Sequence, residues 1–475
     1  MTNEAAKDLA TARTAMFSWA LVAVASILIA VAARGDLWLD EVWSLLFAEA
    51  ARSPWELITR FKHDNNHVLN TLYLYAVGEQ RHLIVYRGLA VIAGIGSLIM
   101  VRKIALRWGA VESVIAVLLA GTPFPLLLYF SEARGYAPAI FFGLLSFSLL
   151  RDCQDRFHWP KLILFWCASM LGILSHLTFI IVFFALGVFT VSYELGGNGS
   201  LAERLLQAGK YILLPGAGIA AFYLVYARRM AVGGGPAVDM LTVLTQGGAA
   251  VTGLPDQARG FAVPLILVPV LWFLALQIRK GDREWSFYGS VLLLAPALAV
   301  VLSGARYFNY RYVLVCVPFY YLVVSRLLAK AWRSEARIYH HLALLIIVLL
   351  IVGQASRLAP FFRLGRGNYR PVLAEMAQTS PGAVITVGSD NDFRNKILLE
   401  FYSRFLAEGK TLRYIDQPFW TNEPPEWIIM HSLDETVTPD PWISTADGRR
   451  YDLIRSERFS GNSGMSWFLY RRSIK

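Results

Sequence analysis

The chain has 475 residues, 56% of them hydrophobic and only 17% charged, with a mean hydropathy of +0.46. That composition excludes a soluble globular protein and a disordered one, and it fits a polytopic membrane protein. The net charge of +11 does not mark a nucleic-acid binder: from residue 360 onward 15 Lys and Arg meet 14 Asp and Glu, so the surplus lies in the first 359 residues. There it clusters in short loops, as membrane topology requires.

The first apolar stretch runs from about 16 to 33 without a charge, and Arg34-Gly-Asp follows at once. It is too long for a cleaved signal peptide and ends without a small-residue cleavage site, so it reads as a retained anchor. Further apolar stretches lie at 83–101, 112–129, 136–150, 162–175, 177–193, 211–226, 261–278, 286–303, 311–328 and 340–358. The sequence thus predicts about eleven spans. Segments 102–107, 151–161, 204–210, 279–283 and 326–337 hold fifteen Lys and Arg, while the alternate loops are sparser. By the positive-inside rule the basic set faces the cytoplasm, which puts the N-terminus inside and the C-terminal tail outside.

Segment 34–82 becomes an outer loop, with short apolar pieces at Trp38–Ala50 and Val68–Val77 that read as helices along the membrane interface. Residues 1–358 form the membrane part, and 359–475 change texture. Helices are expected at 368–378 and 395–406, and strands at 384–387, 411–415, 427–430, 451–454 and 467–470. This is the pattern of a small α/β domain outside the membrane. Three cysteines, none in the tail, give neither a disulfide framework nor a Cys-type zinc site.

On this topology the polar clusters converge on the outer face. Asp40-Glu41 is either an acid pair in the first turn of a helix or a general base next to an apolar wall. Glu132-Ala-Arg134-Gly-Tyr136 puts a bidentate cation and a phenol at a span entrance, which suits a lipid phosphate, or else an interfacial anchor paired through Glu132. Arg306-Tyr-Phe-Asn-Tyr-Arg311-Tyr312 repeats the theme, as a phosphate clamp or an aromatic belt with snorkelling arginines. His63 and His67 are spaced as i, i+4 metal ligands, with no third ligand fixed. His176, between two spans, reads as a hydrogen-bonded structural residue.

The order of these features resembles the GT-C membrane glycosyltransferases of the protein-mannosyltransferase and aminoarabinose-transferase type. Asp40-Glu41 is similar to their Asp-Glu motif, His67 with Leu69–Leu74 to their His-Pro-Pro-Leu-Tyr segment without its prolines, and Tyr86-Arg-Gly to a later outer-loop stretch. Glu132–Tyr136 and Tyr310-Arg-Tyr312 before Pro318 resemble the Arg-Tyr motifs. The resemblance implies transfer of a sugar from a polyprenyl-phosphate donor to an envelope acceptor, which is a lipopolysaccharide, another glycan, a lipid or a protein. The place is the outer face of a bacterial cytoplasmic membrane. Asp40 would be the base with Glu41 beside it, and Arg134, Tyr136, Arg311 and Tyr312 would hold the donor phosphate. His67, Glu132 and Arg306 would contact substrate. No cofactor is called for, and a divalent metal stays open. The alternative is a transporter or flippase of lipid-linked sugars, which calls for ionisable residues in mid-span.

Overall fold

The computed structural model describes residues 3–233, 239–303 and 308–473. Contacts divide them into two compact units. The first comprises the chain to Ala33, Ala51–Val77 and Tyr86–Arg357, and the second Arg34–Ala50, Gly78–Val85 and the chain from Leu358.

The first unit is a helical membrane bundle. Among the described residues, seven helical stretches are long and apolar enough to cross a bilayer: Arg13–Ala32, Leu83–Leu106, Leu201–Arg229, Asp256–Arg279, Glu284–Leu302, Tyr310–Trp332 and Arg337–Thr379. Helices Ala110–Gly121 and Phe124–Phe130, bent by 71° at their junction, make an eighth if they cross together. Among the described residues these seven or eight do not confirm the expected count of eleven. Helices Trp159–Ser175 and Phe179–Leu195 have 17 residues each, about 25 Å of rise against roughly 30 Å of hydrocarbon. Helix Tyr136–Asp155 is long enough but ends in Arg151, Asp152 and Asp155.

The 71° bend has a local cause. Pro123 adopts an extended backbone (φ −67°, ψ 130°) that stops one helix and starts the next. The freed Phe124 N–H donates to Gln354 Oε1 at 2.8 Å, and Gln354 Nε2 donates to the carbonyls of Ala250 and Val251 at 2.9 Å each. One buried amide thus satisfies two interrupted backbones at membrane depth, where bare polar groups are costly. Close by, a Cβ on Gly353 would lie 2.2 Å from the Gly253 carbonyl oxygen, so this crossing needs glycine.

The second unit is built on a six-stranded mixed sheet: β1 (Val384–Ser389), β2 (Thr411–Tyr414), β3 (Trp427–Ser432), β4 (Trp442–Ser444), β5 (Arg450–Glu457) and β6 (Ser466–Arg472). The order is β2-β1-β3-β6-β5-β4, with β1 parallel to β2 and β3 and the remaining pairs antiparallel. Every strand expected from the sequence is present; the three-residue β4 was not expected. Helices Tyr369–Thr379 and Asp392–Tyr402 pack on one face, where Trp467 donates its indole N–H to Asn395 Oδ1 at 2.8 Å and meets Tyr369 edge-on. On the other face Ile428, Tyr451, Phe468 and Tyr470 form a core joined by Trp420, Met430 and Ile443.

Residues 34–50 belong to this unit through specific bonds. Asp36, 4% exposed, accepts the backbone N–H of Tyr369 and of Arg370, both at 2.8 Å, and is ion-paired with the Arg370 side chain. It therefore caps the helix Tyr369–Thr379 from more than 300 residues away in sequence. Tyr402 donates to the Leu37 carbonyl at 2.7 Å, and Arg404 grips Glu49 with two bonds of 2.6 and 2.7 Å. Helix Leu39–Ala50 opens on Asp40 and Glu41 and completes the attachment through Trp43, whose ring meets Phe393 edge-on at 5.2 Å. Asp36→Ala removes a cap and a charge-assisted clamp, worth about 2 kcal/mol together. Thermal unfolding in detergent should register that loss, with faster proteolysis inside 34–50, and unchanged stability and cleavage would show that the clamp holds nothing.

Candidate functional site

The Glu132–Tyr136 segment is the turn between helices Phe124–Phe130 and Tyr136–Asp155. Arg134 is only 4% exposed. Its Nη2 donates to Asn65 Oδ1 at 2.9 Å, its Nη1 lies 3.8 Å from the fully buried Glu132 carboxylate, and its guanidinium sits 5.3 Å from the Tyr136 ring centre. A buried ion pair of this kind costs desolvation and persists only where hydrogen bonds support it. Gly135 makes the turn possible by size: a Cβ there would fall 1.8 Å from the Ser175 carbonyl oxygen and 2.9 Å from the His67 Cβ. Its role is to admit a neighbouring backbone rather than to ease a bend.

The partner of Arg134 is supplied by the loop before helix Val68–Val77. Asn66 fixes that loop by donating to the carbonyls of Leu57 at 2.7 Å and Phe61 at 2.6 Å. The Tyr226 hydroxyl donates to the Asn66 carbonyl at 3.0 Å, and Asn70 donates to the Ala133 carbonyl at 2.8 Å, tying the loop to the arginine turn. Three rings then close the site. His67 stacks on His176 at 4.6 Å, and Tyr136 lies 4.2 Å from His176. The Thr178 N–H donates to His176 Nδ1 at 3.1 Å, which leaves the proton of the neutral ring on Nε2. Burial holds both imidazoles well below their ordinary range, and the cations Arg134 and Arg311 push in the same direction. His67 Nε2 is buried and has no hydrogen-bond partner among the described residues.

These side chains line a cavity of about 320 Å³ that takes in His67, Arg134, Tyr136, His176, Tyr226, Arg311 and Tyr312. Arg311 is fixed at its backbone by Asn309, whose Oδ1 accepts the Arg311 N–H at 3.1 Å, and its guanidinium lies 5.7 Å from the Tyr312 ring centre. Immediately before it, Tyr310 lines a second cavity of about 550 Å³ that is almost wholly apolar, walled by residues such as Val251, Ile266, Pro296 and Tyr320. Gly247 makes room for that tyrosine, since a Cβ would lie 2.4 Å from the Tyr310 Cβ. A chamber with two arginines and several aromatic rings and an apolar groove between helices are thus lined by the consecutive residues Arg311 and Tyr310. That pairing suits a headgroup and its chain.

Of the residues singled out in sequence, the structure brings His67, Arg134, Tyr136, Arg311 and Tyr312 into one chamber. Glu132 is the buried counter-ion of Arg134. Arg306 lies outside the described residues. Asp40 and Glu41 belong to the second unit. Glu41 is fully buried, and its Oε2 accepts the Trp38 N–H at 3.1 Å, the back-reaching half of a capping box. Asp40, half-exposed, sits in the same helical turn. His63 and His67 are not on a helix: His63 lies 2.9 Å from Asp64 while His67 stacks on His176. Among the described residues no three His, Cys, Asp or Glu form a group able to hold a metal ion. Sequence reasoning missed Asn65 and Tyr226, while the hydrogen bond expected of His176 is present at its Nδ1. The only signal was the amide pair Asn65-Asn66 between two histidines in an otherwise apolar chain.

No protein-family model and no curated protein matches the sequence. Solved structures similar to the chain along nearly its whole length include two of one enzyme, and the fold it shares with them is of the GT-C type, as in the aminoarabinose transferases. The structures are those of ArnT from Cupriavidus metallidurans. The apo form has 13% identity and a TM-score of 0.54, covering 95% of this chain and 96% of that one. The form bound to undecaprenyl phosphate has 13% identity and a TM-score of 0.51, covering 95% and 97%.

The histidine pair yields a signed pH dependence. Both imidazoles titrate lower in the folded protein than the ordinary 6.5, so the unfolded chain takes up protons first as the pH falls. Their contribution to stability is complete above pH 6.5 and lost below it, by about 1.4 kcal/mol for each pH unit of depression. His67→Gln should therefore flatten the decline in melting temperature between pH 6.5 and 5 relative to the unmodified protein. An unchanged or steeper decline would mean that His67 is protonated in the folded chamber.

Proposed function

We propose that the protein transfers a sugar from a polyprenyl-phosphate donor to an envelope acceptor at the outer face of a bacterial cytoplasmic membrane. The N-terminus is inside and the C-terminal unit outside on this reading, in line with the alternation of loop charge. The observation that carries it is the presence of Arg134 and Arg311 on one cavity, with Tyr310, the residue before Arg311, on a second and apolar one. A lipid monophosphate has that shape: a compact dianion on a long hydrocarbon chain. The similar ArnT structure that holds undecaprenyl phosphate supports the choice of lipid.

The chemistry follows from where charge develops. As the bond between the anomeric carbon and the phosphate oxygen breaks, negative charge grows on the departing phosphate. Arg134 and Arg311 are the groups to receive it, with Tyr136 and Tyr312 flanking them. Arginine is suited because its fork holds two phosphate oxygens at once and its charge survives burial. The neutral His67 and His176 add no charge to the chamber, so its positive charge is that of the two arginines, set against Asp64 on the lining. Asp40 would take the proton of the acceptor hydroxyl as it attacks the opposite face of the anomeric carbon, inverting it. Glu41, engaged at the Trp38 N–H, positions that turn. The acceptor is a lipopolysaccharide, another glycan, a lipid or a protein, and the sugar is a hexose or a pentose.

Mass spectrometry of envelope glycans from a strain lacking the protein identifies the sugar and acceptor, and a transfer assay then tests the roles. Asp40→Asn keeps shape and loses the basic lone pair, so transfer should fall about 100- to 10,000-fold with expression intact. Glu41→Gln keeps an oxygen for the Trp38 N–H and should be milder. Arg134→Lys and Arg311→Lys should weaken donor binding although the net charge is unchanged, and the alanine variants should do so further. Full activity of Asp40→Asn would end the base assignment, and greater harm from Glu41→Gln would exchange the two roles.

A further inference from the structure

His176 lines the donor chamber and has no task in the chemistry above. It follows helix Trp159–Ser175 in extended backbone (φ −160°, ψ 138°), and its carbonyl accepts the Phe179 N–H at 3.0 Å as the next helix begins. That turn abuts the arginine turn, because Gly135 packs against the Ser175 carbonyl. The imidazole is thereby delivered to the wall that carries Arg134. It is 8% exposed, and two rings lie nearly flat against it: His67 at 4.6 Å with 26° between the planes, and Tyr136 at 4.2 Å with 31°.

The tautomer of this ring is set from one side. The Thr178 backbone N–H can only donate, so Nδ1 is an acceptor, and the Thr178 hydroxyl at 2.9 Å then donates to the same nitrogen. A neutral ring held in this way carries its proton on Nε2. Among the described residues both hydrogen bonds of the ring are at Nδ1. His67 Nε2 is sealed in the wall, whereas His176 Nε2 is not among the sealed atoms. With Nδ1 engaged and the ring faces covered, the Nε2–H is the polar edge left to the chamber that His176 lines with Arg134 and Arg311. An N–H on a ring so largely buried calls for an acceptor, and the chamber is where one can enter.

Resting on the glycosyl-transfer reading, we infer that His176 is a neutral hydrogen-bond donor to the phosphate of the donor lipid. As the bond to the anomeric carbon breaks, its electron pair passes to the phosphate oxygen. The Nε2–H then meets growing negative charge and keeps its proton throughout. Arg134 and Arg311 supply charge, while the imidazole supplies a directed donor. A third cation in so buried a chamber would be repelled by both arginines.

The full-length protein in nanodiscs, labelled with nitrogen-15 histidine, tests this by solid-state NMR alongside titrations with undecaprenyl phosphate. The His176 signals, assigned by their loss in His176→Gln, should show a neutral ring protonated at Nε2. Added undecaprenyl phosphate should shift the Nε2 signal while the ring stays neutral. His176→Leu should weaken undecaprenyl phosphate binding about tenfold or more, as expected for loss of a hydrogen bond to a charged group. His176→Gln keeps an amide N–H near the same place and should bind clearly better than His176→Leu. Unchanged binding by His176→Leu, an Nε2 signal indifferent to the lipid, or glutamine no better than leucine would overturn the role. An imidazolium in the bound state would overturn its neutrality. Inorganic phosphate shifting Nε2 as strongly at the same concentration would overturn the assignment to a lipid. Failure of undecaprenyl phosphate to bind the unmodified protein would count against the donor reading instead, whereas binding that ignores His176 sinks this role alone.

Discussion

The buried charge on Arg134 is the constraint around which the first unit is arranged. A guanidinium that is 4% exposed inside an apolar bundle is unfavourable unless its surroundings are built for it. Here the building extends over distant parts of the chain: Glu132 as counter-ion, Asn65 as acceptor, Tyr136 as a π face, and Tyr226 and Asn66 holding the loop that delivers Asn65. Gly135 lets the turn approach Ser175, and the bend at Pro123 brings the chain into it, with Gln354 repairing the interrupted backbone. Glu132 lies 3.8 Å from the cation, and Arg311 brings a second guanidinium to a chamber that Asp64 also lines. The two guanidinium groups on one cavity are its part suited to an anion.

The two histidines belong to the same arrangement. Protonated imidazoles at 4.6 Å from one another and beside two arginines would repel strongly, and their burial removes the solvent that would screen them. Kept neutral, they contribute a flat polar wall without adding charge. The chamber therefore keeps a fixed electrostatic character over the physiological pH range, with arginines that cannot deprotonate supplying all of its positive charge.

Much of this was legible in the chain. Fold class followed from composition, and strands β1, β2, β3, β5 and β6 from short runs such as Val384–Val387 and Trp467–Tyr470 bounded by turn residues. Loop charge put Asp40, Glu41, Glu132, Arg134 and Arg311 on one face; of these Arg134 and Arg311 do line one cavity, whereas Asp40 and Glu41 belong to the second unit. Span number was less legible, since hydropathy reads apolar content and not helix length: the 17-residue helices look like spans in sequence and fall short in rise. Residues 34–50 read as a loop of the membrane part, yet Asp36 and Glu49 tie them to the C-terminal unit, a pairing between positions more than 300 apart that no local pattern reveals. Asn65 and Tyr226 escaped notice for the same reason. Their importance lies in a buried carboxamide and a hydroxyl meeting partners far away in sequence.

The most direct test of the central claim is a structure of the protein determined by electron cryomicroscopy with undecaprenyl phosphate added. The account predicts a phosphate between the guanidinium groups of Arg134 and Arg311, within hydrogen-bond distance of both, with the chain entering the apolar groove beside Tyr310. A phosphate bound elsewhere, with Arg134 still engaged by Asn65 and Glu132, would contradict it and make that arginine a structural element of the bundle.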